Sequence, residues 1–204
     1  MLYLCIKPKA MNFVAHQYLS FNQPEIQIGN YLGEVVKGNK HQNYSKKIQL
    51  GILLHRNIDY FTDTNEIVKE STSYFHATQH KYAPIIIDLM YDYFLIKHWN
   101  LFCNIPFEKF KQDCYTIFKN SYSTYPNSLQ EMTNHLIQYD WFENYKTING
   151  LQKTLNGISK RAKFPNNLQH SFNCMIQNEE IIEQHFLLFM PQVIKMSKEF
   201  IDES

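Results

Sequence analysis

The sequence predicts an all-α, single-domain helical bundle of roughly eight helices. Apolar residues recur at spacings of three and four almost throughout, and no period-2 alternation is sustained. Only 6 Gly and 7 Pro occur in 204 residues, so the chain has few points at which a helix must stop.

The elements follow in order. Phe13 to Phe21 carries the first apolar stripe, and Pro24 opens a second helix that runs to Lys37, where Gly38-Asn39 ends it. Tyr44 to Phe61 forms a long third helix; Asp63-Thr64-Asn65 then offers a turn and a cap for Asn65 to Thr78. Pro84 and Pro106 fit the first turns of helices over Pro84 to Leu101 and Pro106 to Ser121. Ser128 to Tyr139 with a short continuation, and then Asn149 to Arg161, complete the middle of the chain. The last helix runs from Asn178 to the C-terminus and contains Pro191, which should kink it. Gly38 to Ser45 and the Asn/Pro-rich Phe164 to Gln169 read as loops.

A content of 44% hydrophobic residues, 15% of all residues being aromatic, supports one sizeable core. The 20 Lys and Arg nearly balance 19 Asp and Glu, for a formal charge of +1. No global field therefore recommends nucleic acid or an anionic membrane, and a charged partner must be met by a local patch. Cys5, Cys103, Cys114 and Cys174 are scattered without a CxxC pair, as expected of reduced thiols in a cytoplasmic protein. The opening MLYLCIKPKA has too short an apolar run for a signal peptide. The run Ile85 to Trp99 holds two Asp and a Lys in 15 residues, short of the roughly 20 apolar residues of a membrane span.

That same run, IIIDLMYDYFLIKHW, poses a chemical problem. Asp88 and Asp92 lie one helical turn apart among apolar neighbours, where like charges repel and an unpaired buried ion is costly. In GILLHRNIDYFTD, His55 and Asp59 continue a row begun by Ile48 and Ile52, so both point toward the core. QIGNYLGEVVKG sets Glu34 among Leu32, Val35 and Val36, with Asn30 one turn earlier; MNFVAHQYLS sets His16 among Phe13, Val14 and Ala15. Each has a plain alternative: a satisfied core histidine for His16, a surface pair with Lys37 for Glu34, a partner such as Arg56 for Asp59, or a polar edge for the two Asp of the apolar run. Taken together, imidazoles and carboxylates from separate helices are a way to build a divalent cation site. The absence of thiolate in the set favours Mn²⁺, Mg²⁺ or Fe²⁺ over structural zinc. Such a cation polarises a phosphoryl oxygen and acidifies bound water, which suits phosphoester hydrolysis.

MNFVAHQYLS, IGNYLGEVVKG, GILLHRNIDYFTD and APIIIDLMYDYFLIKHW, in this order and spacing, resemble the acyl carrier protein phosphodiesterases. LNGISKR and LLFMPQVIKM are similar to later parts of the same family, and the resemblance covers Met11 to Phe200. It implies an HD-phosphohydrolase-like helical fold, dependence on Mn²⁺, and hydrolysis of the phosphodiester joining 4′-phosphopantetheine to a serine of holo acyl carrier protein. It implicates His16, His55, Arg56, Asp59, Asp88 and Asp92. The roles expected are His16, Glu34, His55, Asp59 and Asp88 at the metal, with Arg56, Asp59 and Asp92 in catalysis. Arg56 and Lys37 would meet a phosphate. Asp92 would be a further ligand, an orienting partner of a histidine or a general acid/base, and His98 a structural group. Glu34 stands where the family pattern has an aspartate, and Met1 to Ala10 is expected to be an N-terminal extension. The acidic carrier partner requires a basic docking surface, for which Lys37, Lys40, Lys46 and Lys47, or Lys160, Arg161 and Lys163, are candidates. A helical hydrolase of nucleotides or other small phosphoesters, and a non-catalytic carrier-binding protein, are the competing expectations.

Overall fold

A computed structural model describes residues 12–204; the expected N-terminal extension lies outside the described residues. Among those described there are twelve α-helices and no strand. They are α1 (Phe13–Tyr18), α2 (Pro24–Leu32), α3 (Lys46–Thr64), α4 (Glu66–Gln79), α5 (Ala83–Lys97), α6 (Trp99–Phe102), α7 (Phe107–Asn120), α8 (Asn127–Gln138), α9 (Trp141–Asn144), α10 (Ile148–Arg161), α11 (Phe172–Gln177) and α12 (Glu179–Asp202). No helix among the described residues is long and apolar enough to cross a membrane.

α5 is the central element, packing against α1, α4, α10 and α12. Eleven of its fifteen residues are buried, as a helix that is apolar nearly all round must be. Pro84 sits in its first turn, and Asn65 caps α4 by accepting the Ile67 N–H at 3.0 Å.

Several boundaries differ from the sequence expectation. The second helix stops at Leu32 rather than Lys37: after Gly33 the chain turns away, and the Val36 carbonyl accepts a hydrogen bond from Arg56 instead of continuing a helix. The expected Pro84 to Leu101 helix is broken at His98 (φ −104°, ψ 22°), whose imidazole is drawn to Glu183 on α12. The Gly38 to Ser45 loop contains a 3₁₀ stretch, Gly38–Asn43. α11 was not expected, being a six-residue helix with one fully buried side chain, Met175. α12 continues through Pro191 as one element. Pro191 and Leu187, whose carbonyl loses its amide partner, are both on the exposed side, where water can satisfy the carbonyl.

The closest helix pairing, α2 on α3, depends on two residues without side chains. A Cβ on Gly29 would lie 2.2 Å from the Ile48 carbonyl oxygen, and one on Gly51 would lie 2.3 Å from that of Ile26. Neither obstacle is a flexible side chain, so the helices themselves would have to part. Gly51→Ala is expected to cost about 3 kcal/mol through overpacking, seen as a lower urea midpoint. An unchanged midpoint would mean that the α2–α3 crossing is not tightly constrained.

Candidate active site

The polar residues singled out in the sequence meet where α1, α2, α3 and α5 approach one another. α1 is held from outside itself. Asn12 occupies its N-cap without making a side-chain cap bond; instead Asp92 of α5 accepts the N–H of Val14 at 3.0 Å and of Ala15 at 2.8 Å. These are otherwise unpaired first-turn donors, so the carboxylate of one helix caps another. Burial raises the Asp92 pKa to about 7, against the opposing pull of these two N–H groups and His16.

The cap fixes His16 above α2 and α3. Its Nδ1 is 2.7 Å from Asn30 Oδ1, and its Nε2 is 3.3 Å from Asp59 Oδ1. His55 of α3 is placed in parallel fashion, with Nδ1 3.2 Å from Asn30 Oδ1 and Nε2 3.5 Å from Asp59 Oδ2. The ring centroids are 4.4 Å apart, inclined by 34°. His55 also rests on Gly33: a Cβ there would be 2.3 Å from the imidazole Cγ. Glu34, in the turn after α2, brings Oε1 to 3.8 Å from His55 Nε2.

Ligand-capable atoms of His16, His55 and Asp59 all lie within 4.8 Å of one another. Both histidines are buried, whereas the Asp59 side chain is 21% exposed, so the cluster reaches solvent on the Asp59 side. Asp88 and Glu34 stand outside this triplet and surround it electrostatically. Burial, then Asp59, Asp63, Asp92 and Glu34, push the Asp88 pKa well above the carboxylate range. Its Oδ2 has no hydrogen-bond partner. Burial disfavours the charged form of His16, but Asp59, Glu34 and Asn30 outweigh it and raise its pKa. His16 Nε2, although near Asp59, makes no aligned hydrogen bond. An orphaned buried carboxylate oxygen, an orphaned imidazole nitrogen and several acidic neighbours form a donor set that a divalent cation would satisfy. His16, His55 and Asp59 could hold it directly, with Asp88 and Glu34 alongside.

The other expected site residues are more dispersed. Arg56 Nη2 donates to the carbonyls of Val36 (3.2 Å) and Gly38 (2.8 Å), tying the loop after α2 to α3. Lys37 Nζ donates to the Gly33 carbonyl at 3.1 Å. Lys160 and Arg161 are exposed at the end of α10. The charge of Arg161 is felt at the buried Tyr145 hydroxyl, whose pKa is raised by burial and also by Asp92 and Glu34. His98 pairs with Glu183, away from the triplet. Sequence reading gave no part to Asn30, Asp63 or Tyr145. Asn30 was visible one turn before Glu34, and Asp63 one turn after Asp59, but nothing in the local pattern marked Tyr145.

The fold and cluster define a class: an all-helical protein whose polar centre joins imidazoles and carboxylates from separate helices. Residues 11–193 match the family model described as acyl carrier protein phosphodiesterase, and the chain belongs to that family. It is 31% identical over 189 residues to the acyl carrier protein phosphodiesterase of Yersinia pestis, covering 92% of this chain and 98% of that one. Similar proteins of the same name occur in Enterobacter sp. strain 638, at 30% identity with 92% and 98% coverage, and in Escherichia coli O6:H1, at 29% with 92% and 97%. No solved structure matches the chain.

Proposed function

We propose that this chain is a cation-dependent phosphodiesterase that cleaves 4′-phosphopantetheine from the serine of holo acyl carrier protein, leaving the apo protein. Membership in the family supports the substrate. The observation that carries the chemistry is the convergence of His16, His55 and Asp59 beside an unsatisfied, buried Asp88. Mn²⁺ is the cation proposed first, with Mg²⁺ or Fe²⁺ suited to the same oxygen and nitrogen donors. When bound, it would polarise a phosphoryl oxygen and lower the pKa of bound water.

The protein's own residues prepare that site. Asp92, with both oxygens engaged by backbone N–H groups, serves by holding α1 and therefore His16 in place. Arg56 orders the loop carrying Lys37, and its remaining N–H donors can meet a phosphate oxygen. Lys37, Lys40, Lys46 and Lys47 are all exposed along this loop and the start of α3, offering a local positive surface to an acidic carrier. A cytoplasmic carrier substrate is compatible with the free thiols of Cys103, Cys114 and Cys174.

The test is the intact mass of holo acyl carrier protein incubated with the enzyme and Mn²⁺. Loss of one phosphopantetheine, abolished by His55→Ala and slowed by added salt, is the expected result. Turnover of free nucleotides with an unchanged carrier would point to a small-phosphoester hydrolase. An unchanged carrier and no turnover at saturating cation would leave a non-catalytic carrier-binding protein.

A further inference from the structure

Asn30 has no exposed surface and meets Nδ1 of both histidines of the triplet. Its Nδ2 donates to the His16 carbonyl at 2.9 Å and to Ser20 Oγ at 3.1 Å. Ser20 spends its own hydroxyl hydrogen on the His16 carbonyl, at 3.0 Å, and so presents only lone pairs to the amide. Exchanging oxygen and nitrogen in Asn30 would put an acceptor against two acceptors. The amide therefore has one orientation, with Oδ1 directed at His16 Nδ1 (2.7 Å) and His55 Nδ1 (3.2 Å). An amide oxygen can only accept, so both imidazoles must carry hydrogen on Nδ1.

We infer that Asn30 is a positioning residue that holds a proton on Nδ1 of both histidines at once, so that Nε2, on the Asp59 side, is the nitrogen each ring can give to a cation. The purpose of this arrangement rests on the cation site proposed above; the two Nδ1 contacts with Asn30 belong to the metal-free chain. A single buried oxygen thus orients two candidate ligands contributed by different helices. It also sets them in the form that ligates a cation through Nε2, whereas the opposite tautomer would point two N–H groups at the space a cation needs.

The experiment is long-range ¹H–¹⁵N correlation on imidazole-labelled, metal-free protein, taken upward in pH until the ring nitrogen shifts of both histidines stop changing. Both rings are expected to show a protonated Nδ1; a bare Nδ1 on either ring overturns the inference. Asn30→Leu is expected to release the tautomers and weaken Mn²⁺ binding by about 10–100-fold, measured calorimetrically. Asn30→Asp, which keeps the accepting oxygen, should retain both Nδ1–H signals, and this reading stands even if the leucine variant does not fold. Unchanged tautomers in a folded Asn30→Leu protein would show that something else sets them. Loss of carrier turnover with wild-type tautomers as described would count against the proposed reaction, not against the role of Asn30.

Discussion

Asp88→Asn is expected to stabilise the metal-free protein while sharply reducing its activity. The carboxylate is buried, its Oδ2 lacks a partner, and Asp59, Asp63, Asp92 and Glu34 all add to the cost of ionising it. Its pKa in the folded chain lies well above 3.8. A carboxyl shifted upward contributes its full stability below the unfolded value and loses it as pH rises through the folded value. At neutral pH the group is therefore a liability, and an amide of the same shape that cannot ionise should gain about 2 kcal/mol. Added Mn²⁺ should reverse the order. The wild type gains about 2.7 kcal/mol when the cation is at 100 times its dissociation constant, whereas the variant gains much less. Turnover should fall on the order of 100-fold. Thermal melts in chelator and in Mn²⁺, paired with carrier turnover, read all three effects. A variant less stable than wild type in chelator would mean that the protein already compensates Asp88, removing the reason for a cation beside it.

Gly33→Ala should disturb the same site and the packing of α3 together. Gly33 has ordinary right-handed backbone angles (φ −53°, ψ −27°), so alanine brings no backbone strain. Its methyl would stand 2.3 Å from Cγ and 2.5 Å from Cβ of His55; Cβ is fixed to the α3 backbone, so the ring and the backbone behind it must move by roughly an ångström to clear it. A misplacement of that size typically costs about 100-fold in rate. Carrier turnover should fall by that factor, and the urea midpoint should fall too, as expected of overpacking. Full activity would show that the His55 ring position is not critical. The contrast with Gly51→Ala lies in the site: there the added methyl meets backbone alone, while here it meets the root of a candidate ligand side chain, so activity should fall beyond what lost stability explains.

The all-α class and most helix positions were legible because the apolar period was consistent along the chain. Boundaries failed where tertiary partners took over from local pattern: at Gly33, where the chain turns beside an imidazole, and at His98, which turns to Glu183. The site inventory was legible for a related reason. His16, His55, Asp59, Asp88 and Asp92 each interrupt an apolar surface, and interruption is visible in one dimension. Division of labour was not visible. Asp88 and Asp92 look alike in the sequence, yet one has an orphan oxygen and the other two backbone hydrogen bonds. Asn30 escaped for the same reason, since its importance lies in what it joins from elsewhere. Glu34, placed on a helix by pattern, stands in a turn instead, which gives its longer side chain a different starting point from that of a helical residue.

The cap that α5 lends to α1 also governs the order in which the molecule can assemble. A six-residue helix has no independent stability in water, and its first-turn amides find their acceptors on a residue 77 and 78 positions further along the chain. α1 can therefore become fixed only once the central helix is made and docked, and His16 with it. The earliest segment described thus waits on one from the middle of the chain. A molecule in which α5 has not docked, whether newly made or damaged, would lack one imidazole of the candidate site.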